Sequence, residues 1–92
     1  MDQSANFGLG SIYFESGQAG KALPHLETVV KEYKDYSAAY LLLGKVLEKL
    51  SEPKRAEEIY REGIAAASKK GDLMPLREMQ TRLNQLLHSS SG

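Results

Sequence analysis

Residues 37–70, SAAYLLLGKVLEKLSEPKRAEEIYREGIAAASKK, lie without a gap on residues 3–36, QSANFGLGSIYFESGQAGKALPHLETVVKEYKDY, when the chain is shifted by 34 positions. The overlay brings together Ala5 and Ala39, Leu9 and Leu43, Gly10 and Gly44, and Ala22 and Ala56. Ile12 with Val46, Lys21 with Arg55 and Val30 with Ile64 are conservative matches. Identity is sparse, but it falls on positions that govern packing. A Leu-Gly pair midway along one helix removes a side chain so that a second helix can approach. A small residue on that second helix serves the same end. The spacing therefore encodes two helix hairpins, with Gly10 and Gly44 expected to face Ala22 and Ala56.

Working outward, apolar residues recur at helical spacing along the chain, with no sustained alternation of period two. Leu9, Ile12 and Tyr13 mark a first helix, and Ala22, Leu26, Val29 and Val30 a second. Tyr40, Leu43, Val46, Leu47 and Leu50 mark a third, and Ala56, Ile59, Tyr60 and Ile64 a fourth. Beyond the repeats, Leu73, Leu76, Met79, Leu83, Leu86 and Leu87 give a fifth. The breaks carry turn or cap chemistry: Gly17, Ser37, Pro53 at a helix start, and Gly71 followed by Asp72 as C′ and N-cap. These signals predict helices over about 4–16, 20–33, 37–50, 53–69 and 73–88. Pro24 falls early in the second helix, where few N–H groups have helical partners to lose.

A 34-residue helix-turn-helix of this kind resembles the tetratricopeptide repeat. The second unit carries the signature at Tyr40, Leu43, Gly44, Leu47, Ala56 and Tyr60, with small Gly63. The first carries it at Leu9, Gly10, Tyr13 and Ala22. It departs at Asn6 and Leu26, where aromatics are usual, and at Val29, where a small residue is preferred. Both units lack the closing proline, with Lys34 and Ser68 there instead. The resemblance implies an all-α superhelix of two helix hairpins, over about residues 3–36 and 37–70, closed by a capping helix over about 72–88. Residues 1–88 then form one domain, and the serine-rich stretch 89–92 reads as a disordered tail. A helix pair cannot bury its apolar face alone, so Leu76, Met79 and Leu83 are expected to cover the open face of the fourth helix.

Composition excludes several classes of function. The 92 residues include no cysteine, which removes disulfides and thiol chemistry and suits a reducing, cytoplasmic setting. Twelve basic and twelve acidic side chains cancel, so a nucleic-acid partner is not expected. No apolar run approaches the ~20 residues of a membrane span, and Met1-Asp2-Gln3 starts no signal peptide. His25, read as solvent-facing on the second helix, and His88 have no second ligand at metal spacing. Glu57, Glu58 and Glu62 alternate with Lys54, Arg55 and Arg61, the mark of a salt-linked solvated face. Gly8-Leu9-Gly10 and the glycines at 17 and 20 follow no strand and precede no phosphate-binding lysine. No catalytic residue, cofactor or metal site is expected, and the chain reads as no enzyme.

What remains is surface recognition. The resemblance implies that the first helices of the units line a concave groove. The matching positions are Ser4, Phe7, Ser11, Phe14 and Glu15, then Ala38, Leu41, Lys45, Glu48 and Lys49, and Arg77 and Thr81 from the fifth helix. Phe7, Phe14 and Leu41 would anchor a protein or peptide segment, with Lys45 and Arg77 orienting it by charge. The two phenylalanines read equally well as partly core. The family's carboxylate clamp for chaperone tails is not expected, because Phe7, Ser11 and Leu42 stand where Lys, Asn and Asn are needed, and Met74 and Glu78, or Asp72 and Leu76 in the unshifted register, where Lys and Arg are needed. The two readings left are an adaptor that binds a partner segment in the groove and a scaffold that pairs with a second copy of itself.

Overall fold

The computed structural model describes residues 3–91, with side chains from 5 to 89. Five helices follow one another: α1 (Gln3–Glu15), α2 (Ala19–Glu32), α3 (Ser37–Lys49), α4 (Pro53–Lys70) and α5 (Leu73–Ser91). No strand occurs among the described residues. Each helix packs on the next in chain order, and α3 lies beside both α1 and α5. The molecule is therefore a single stack, with α1 and α5 at its two ends. α5 runs to Ser91, and Gly92, the last residue of the stretch read as a tail, lies outside the described residues. No glycine or proline stands between Leu87 and Ser91 to stop the helix.

Short backbone-bonded turns make the hairpins. Gly17 N–H donates to the Phe14 carbonyl and Gln18 N–H to that of Tyr13. One repeat later, Ser51 donates to Glu48 and Glu52 to Leu47 in the same pattern. Both central residues are left-handed, Gly17 at φ 80° and Ser51 at φ 59°. Glycine adopts that conformation freely, whereas serine pays a steric penalty for it. Ser51→Gly should therefore raise stability by about 0.5–1 kcal/mol, after the greater freedom of glycine in the unfolded chain is subtracted. Denaturant titration of the two proteins checks this. Gly71, at φ 75°, closes α4 in the same manner. Ser37 does not cap α3. It is the first residue of the helix, one position too late, and its buried Oγ has no hydrogen-bond partner.

The core runs along the stack through Leu26, Tyr40, Leu43, Leu47, Tyr60 and Met79, with Ala22, Ala56 and Ala67 where helices lie closest. The glycine contacts are one turn further on than the sequence suggests. A Cβ on Gly10 would stand 2.7 Å from Leu26 Cγ, and one on Gly44 would run into the Tyr60 ring. Ala22 and Ala56 are fully buried, but each precedes by four residues the side chain that fills the notch. Leu26 stands in the first repeat where Tyr60 stands in the second, so a branched aliphatic fills the notch that a ring fills next door. A third notch lies at Gly63, where a Cβ would collide with Met79 and Tyr40. Met79 is fully buried, and Leu76 and Leu83 pack half-buried beside it, which makes α5 the cover for the C-terminal end.

Candidate functional site

α1, α3 and α5 lie side by side, and a cleft of about 460 Å³ crosses all three. Phe14 comes from α1, Lys45, Glu48 and Lys49 from α3, and Arg82 from α5. A second cleft of about 640 Å³ adjoins it at the α1–α2 turn. Phe14 and Lys49 line both, joined in the second by Glu15, Leu50 and the turn residues 17–20. Together they form one groove that runs over the Phe14 ring.

Most of the charge in this groove is already paired. Lys45 Nζ meets Glu78 Oε2 at 3.1 Å, and Arg82 Nη1 meets Glu48 Oε2 at 3.2 Å. Arg82 Nε also lies 3.6 Å from Glu78, one turn back on α5. The Tyr60 hydroxyl donates a hydrogen bond to Glu48 from beneath. Burial and the Glu48 carboxylate both push the Tyr60 phenol above its ordinary range, so it remains a donor at any physiological pH. The hydrogen bond and charge of Lys45 hold the Glu78 carboxyl below its usual value, with Arg82 adding to the effect. A carboxyl lowered in this way keeps its partner at pH values where an unpaired glutamate has begun to protonate. The network ties α5 to α3 and α4 and leaves little free charge. Among the described residues of the groove, Lys49 and Glu15 are exposed and form no ion pair, and Lys49 is the cation of the two.

The predicted groove residues divide accordingly. Phe7, Phe14 and Leu41 are half-buried against the core, and Phe7 rests on Tyr36 with ring centroids 5.1 Å apart. Phe14 alone of these three lines both clefts. Ser11 is half-buried on α1. Lys45 and Glu48 line the groove but are engaged by α5. Arg77 and Thr81 are exposed outside it, and the Thr81 hydroxyl donates to the Arg77 carbonyl at 3.1 Å. Ser4 lies outside the residues whose side chains are described. The cation that α5 supplies is Arg82 in place of Arg77. Its signature was present as Lys45 and Glu48 on α3 facing Glu78 and Arg82 on α5, but only the docked register of the two helices reveals it.

His25 is not solvent-facing. It lies half-buried against α1, with Nδ1 3.1 Å from Asn6 Oδ1 and its ring stacked on Tyr13 at a centroid distance of 5.7 Å. Asn6, an unusual residue for its repeat position, thus has its counterpart on α2. Among the described residues no group of three or more His, Cys, Asp or Glu could hold a metal ion. No described helix is long and apolar enough to cross a membrane.

Residues 13–72 match the family model described as tetratricopeptide repeat. The chain is 35% identical over 80 residues to the TPR repeat-containing protein PA0015 of Pseudomonas aeruginosa, covering 87% of this chain and 76% of that one. Among solved structures, protein BPP2914 from Bordetella parapertussis superimposes with a TM-score of 0.88 at 32% identity, over 99% of this chain and 79% of that one. The tetratricopeptide repeat domain protein from Salinibacter ruber gives 0.89 at 27% identity, over 96% and 98%.

Proposed function

The chain belongs to the tetratricopeptide repeat family, whose fold serves protein–protein interaction in general, and on that premise we propose that it is a non-catalytic adaptor that holds a partner segment in the groove across α1, α3 and α5. The observation that carries this reading is the pairing of Phe14 with Lys49 along both clefts. Phe14, Leu50 and Ala19 offer apolar surface beside one cation that no carboxylate neutralises. A segment that suits it bears a bulky apolar side chain next to Asp or Glu. Lys49 takes the orienting role that the sequence assigns to Lys45, because Lys45 is held by Glu78. Buried apolar anchors supply most of the affinity in such contacts, and rim charges steer encounter and register.

Selection of random twelve-residue peptides on the immobilised protein tests the reading. Enriched sequences should pair an aromatic or leucine with an acidic residue. Phe14→Ala combined with Leu50→Ala, both lining the groove, should weaken their binding by about 2–4 kcal/mol, the usual effect of truncating interface anchors. Lys49→Ala should reduce affinity less, and mainly at low salt. Both variants are checked for folding by circular dichroism. Full affinity in a folded double variant places recognition outside this groove.

A further inference from the structure

The two carboxylates between α3 and α5 are not held alike. Glu48 accepts a hydrogen bond from the hydroxyl of the buried Tyr60 and pairs with Arg82, so the core fixes it from beneath. Glu78 has no bond from the core among the described residues. Its side chain is 47% exposed, with Lys45 at 3.1 Å and Arg82 at 3.6 Å. Loss of its charge would leave Arg82 the bond to Glu48, whereas Lys45 pairs with no other carboxylate among the described residues. Lys45 and Lys49 stand one helical turn apart on α3, a rise of about 6 Å, and both line the cleft beside Phe14. In an extended segment, side chains two residues apart share a face and are separated by about 6.6 Å. Two acidic residues in that spacing match the two lysines. Glu15 lines the neighbouring cleft with Phe14 and Leu50, so the apolar side chain of a bound segment belongs there and its acids toward Lys45.

We propose that Glu78 is a specificity-determining residue of the groove: by occupying Lys45 it restricts the groove to segments with one acidic residue, seated on Lys49, and without its charge the groove prefers two acidic residues spaced i and i+2. This inference rests on the groove reading above and deepens it. Specificity is a difference between two affinities, and Glu78 removes the difference between these two ligands. A second acid brought to the wild type exchanges one partly exposed ion pair for another. It also meets the displaced Glu78, which Arg82 keeps close by, so the net gain is near zero. With Glu78 uncharged, the same acid gains Lys45 with nothing given up. A partly exposed pair of this kind shifts an equilibrium by about 1.5- to 5-fold, which sets the size of the effect.

Two synthetic twelve-residue peptides serve as probes, one with the core Phe-Ser-Asp-Ser-Ser and one with Phe-Ser-Asp-Ser-Asp, each made in both chain directions within a Gly-Ser sequence. Heteronuclear NMR titration of the whole chain, to about 2 mM peptide, measures dissociation constants into the millimolar range. At low salt the wild type should bind the two peptides within about twofold of each other. Glu78→Gln should favour the diacidic peptide by about three- to fivefold, and most of that preference should vanish at about 0.5 M salt. Lys45→Gln added to Glu78→Gln should return the ratio to its wild-type value, which a mere loosening of α5 would not do. Glu58→Gln removes an exposed carboxylate on α4, changes the net charge equally, and should leave the ratio unchanged. Folding of every variant is checked by circular dichroism. Suppose both peptides bind and Phe14→Ala weakens them. A ratio that Glu78→Gln does not move, that Glu58→Gln moves as far, or that already favours the diacidic peptide in the wild type then overturns this inference and leaves the groove reading standing. Binding of neither peptide, or binding indifferent to Phe14→Ala, overturns the groove reading itself and this inference with it.

Discussion

Deleting residues 72–92 should leave a chain that no longer folds as a cooperative monomer. Met79 fills the notch at Gly63 beside Tyr40, and Leu76, Leu83 and Leu86 pack around it on the core. Each large apolar side chain contributes about 1.5–3 kcal/mol when fully buried, so these four together approach about 5–10 kcal/mol once the partial burial of three of them is considered. A domain of this size has a total stability of about 5–9 kcal/mol. The deletion also removes Glu78 from Lys45 and Arg82 from Glu48, leaving Glu48 beside the Tyr60 hydroxyl without its cation. The remaining two hairpins would carry an uncovered face at each end, Leu9 and Ile12 on α1 and the Gly63 notch on α4. Thermal unfolding by circular dichroism, with sedimentation in parallel, should show either no cooperative transition or a dimer that pairs the uncovered faces. A monomeric fragment with a sharp transition would mean that the two repeats are self-sufficient.

That the fifth helix is a cover was legible because its apolar spacing repeats that of α3, with Leu76, Met79 and Leu83 in the places of Tyr40, Leu43 and Leu47. Helix order was legible for a similar reason: apolar runs, glycines and prolines act locally, and all five helices stand within a few residues of where the periodicity puts them. The errors arise where a contact depends on how two helices dock. Gly10 and Gly44 are notches as expected, yet the residues that fill them, Leu26 and Tyr60, stand one turn beyond the alanines that the repeat shares. A 34-residue overlay finds equivalent positions but cannot find facing ones, since facing depends on crossing angle as well as period. His25 illustrates the same limit. Its proximity to Pro24 suggests an exposed position, and only its contact with Asn6 and Tyr13 on the neighbouring helix shows otherwise.

The groove was legible by position and not by charge state. Phe14, Lys45, Glu48 and Lys49 all line it, because α3 keeps the repeat register. Which of its cations remains available depends on α5, whose Glu78 and Arg82 neutralise Lys45 and Glu48. Arg77 and Arg82 are indistinguishable by residue type, and a five-residue step along a helix turns the side chain through well over a full revolution. The same reasoning bears on the α1 edge. Leu9 carries the repeat signature just as Leu43 does, so the sequence marks both as core. Burial, however, also requires a neighbour on the far side, which α3 has in α2 and the exposed Leu9 on α1 lacks among the described residues.

Gly44→Leu should be the most damaging single substitution in the chain, at about 3–5 kcal/mol. A Cβ alone at this position would overlap three ring atoms of Tyr60, and the ring has nowhere to go. Tyr60 is fully buried, and its hydroxyl is fixed to Glu48, which is in turn paired with Arg82. To admit a leucine, either α3 and α4 must separate, opening voids along the central pair of the stack, or the ring must leave the core. Expelling a buried aromatic costs about as much as truncating it, roughly 3–5 kcal/mol, and ordinary overpacking without expulsion costs about 1–3 kcal/mol. Gly44→Ala should fall in that lower range, since one methyl group already collides. Gly20 is the control. It also lies in a helix, but a Cβ there meets nothing within 4 Å, so Gly20→Ala should stabilise by up to about 1 kcal/mol through helix propensity alone. Denaturant unfolding of the three variants distinguishes the explanations. If all three glycine replacements moved stability by similar amounts, backbone freedom and not close helix approach would be the reason for glycine at position 44. An ordering of Gly20→Ala above wild type, then Gly44→Ala, then Gly44→Leu assigns the glycine to the Tyr60 contact. Loss of the Tyr60–Glu48 bond in the leucine variant should also leave Glu48 held by Arg82 alone, so the support beneath the groove would go along with the core.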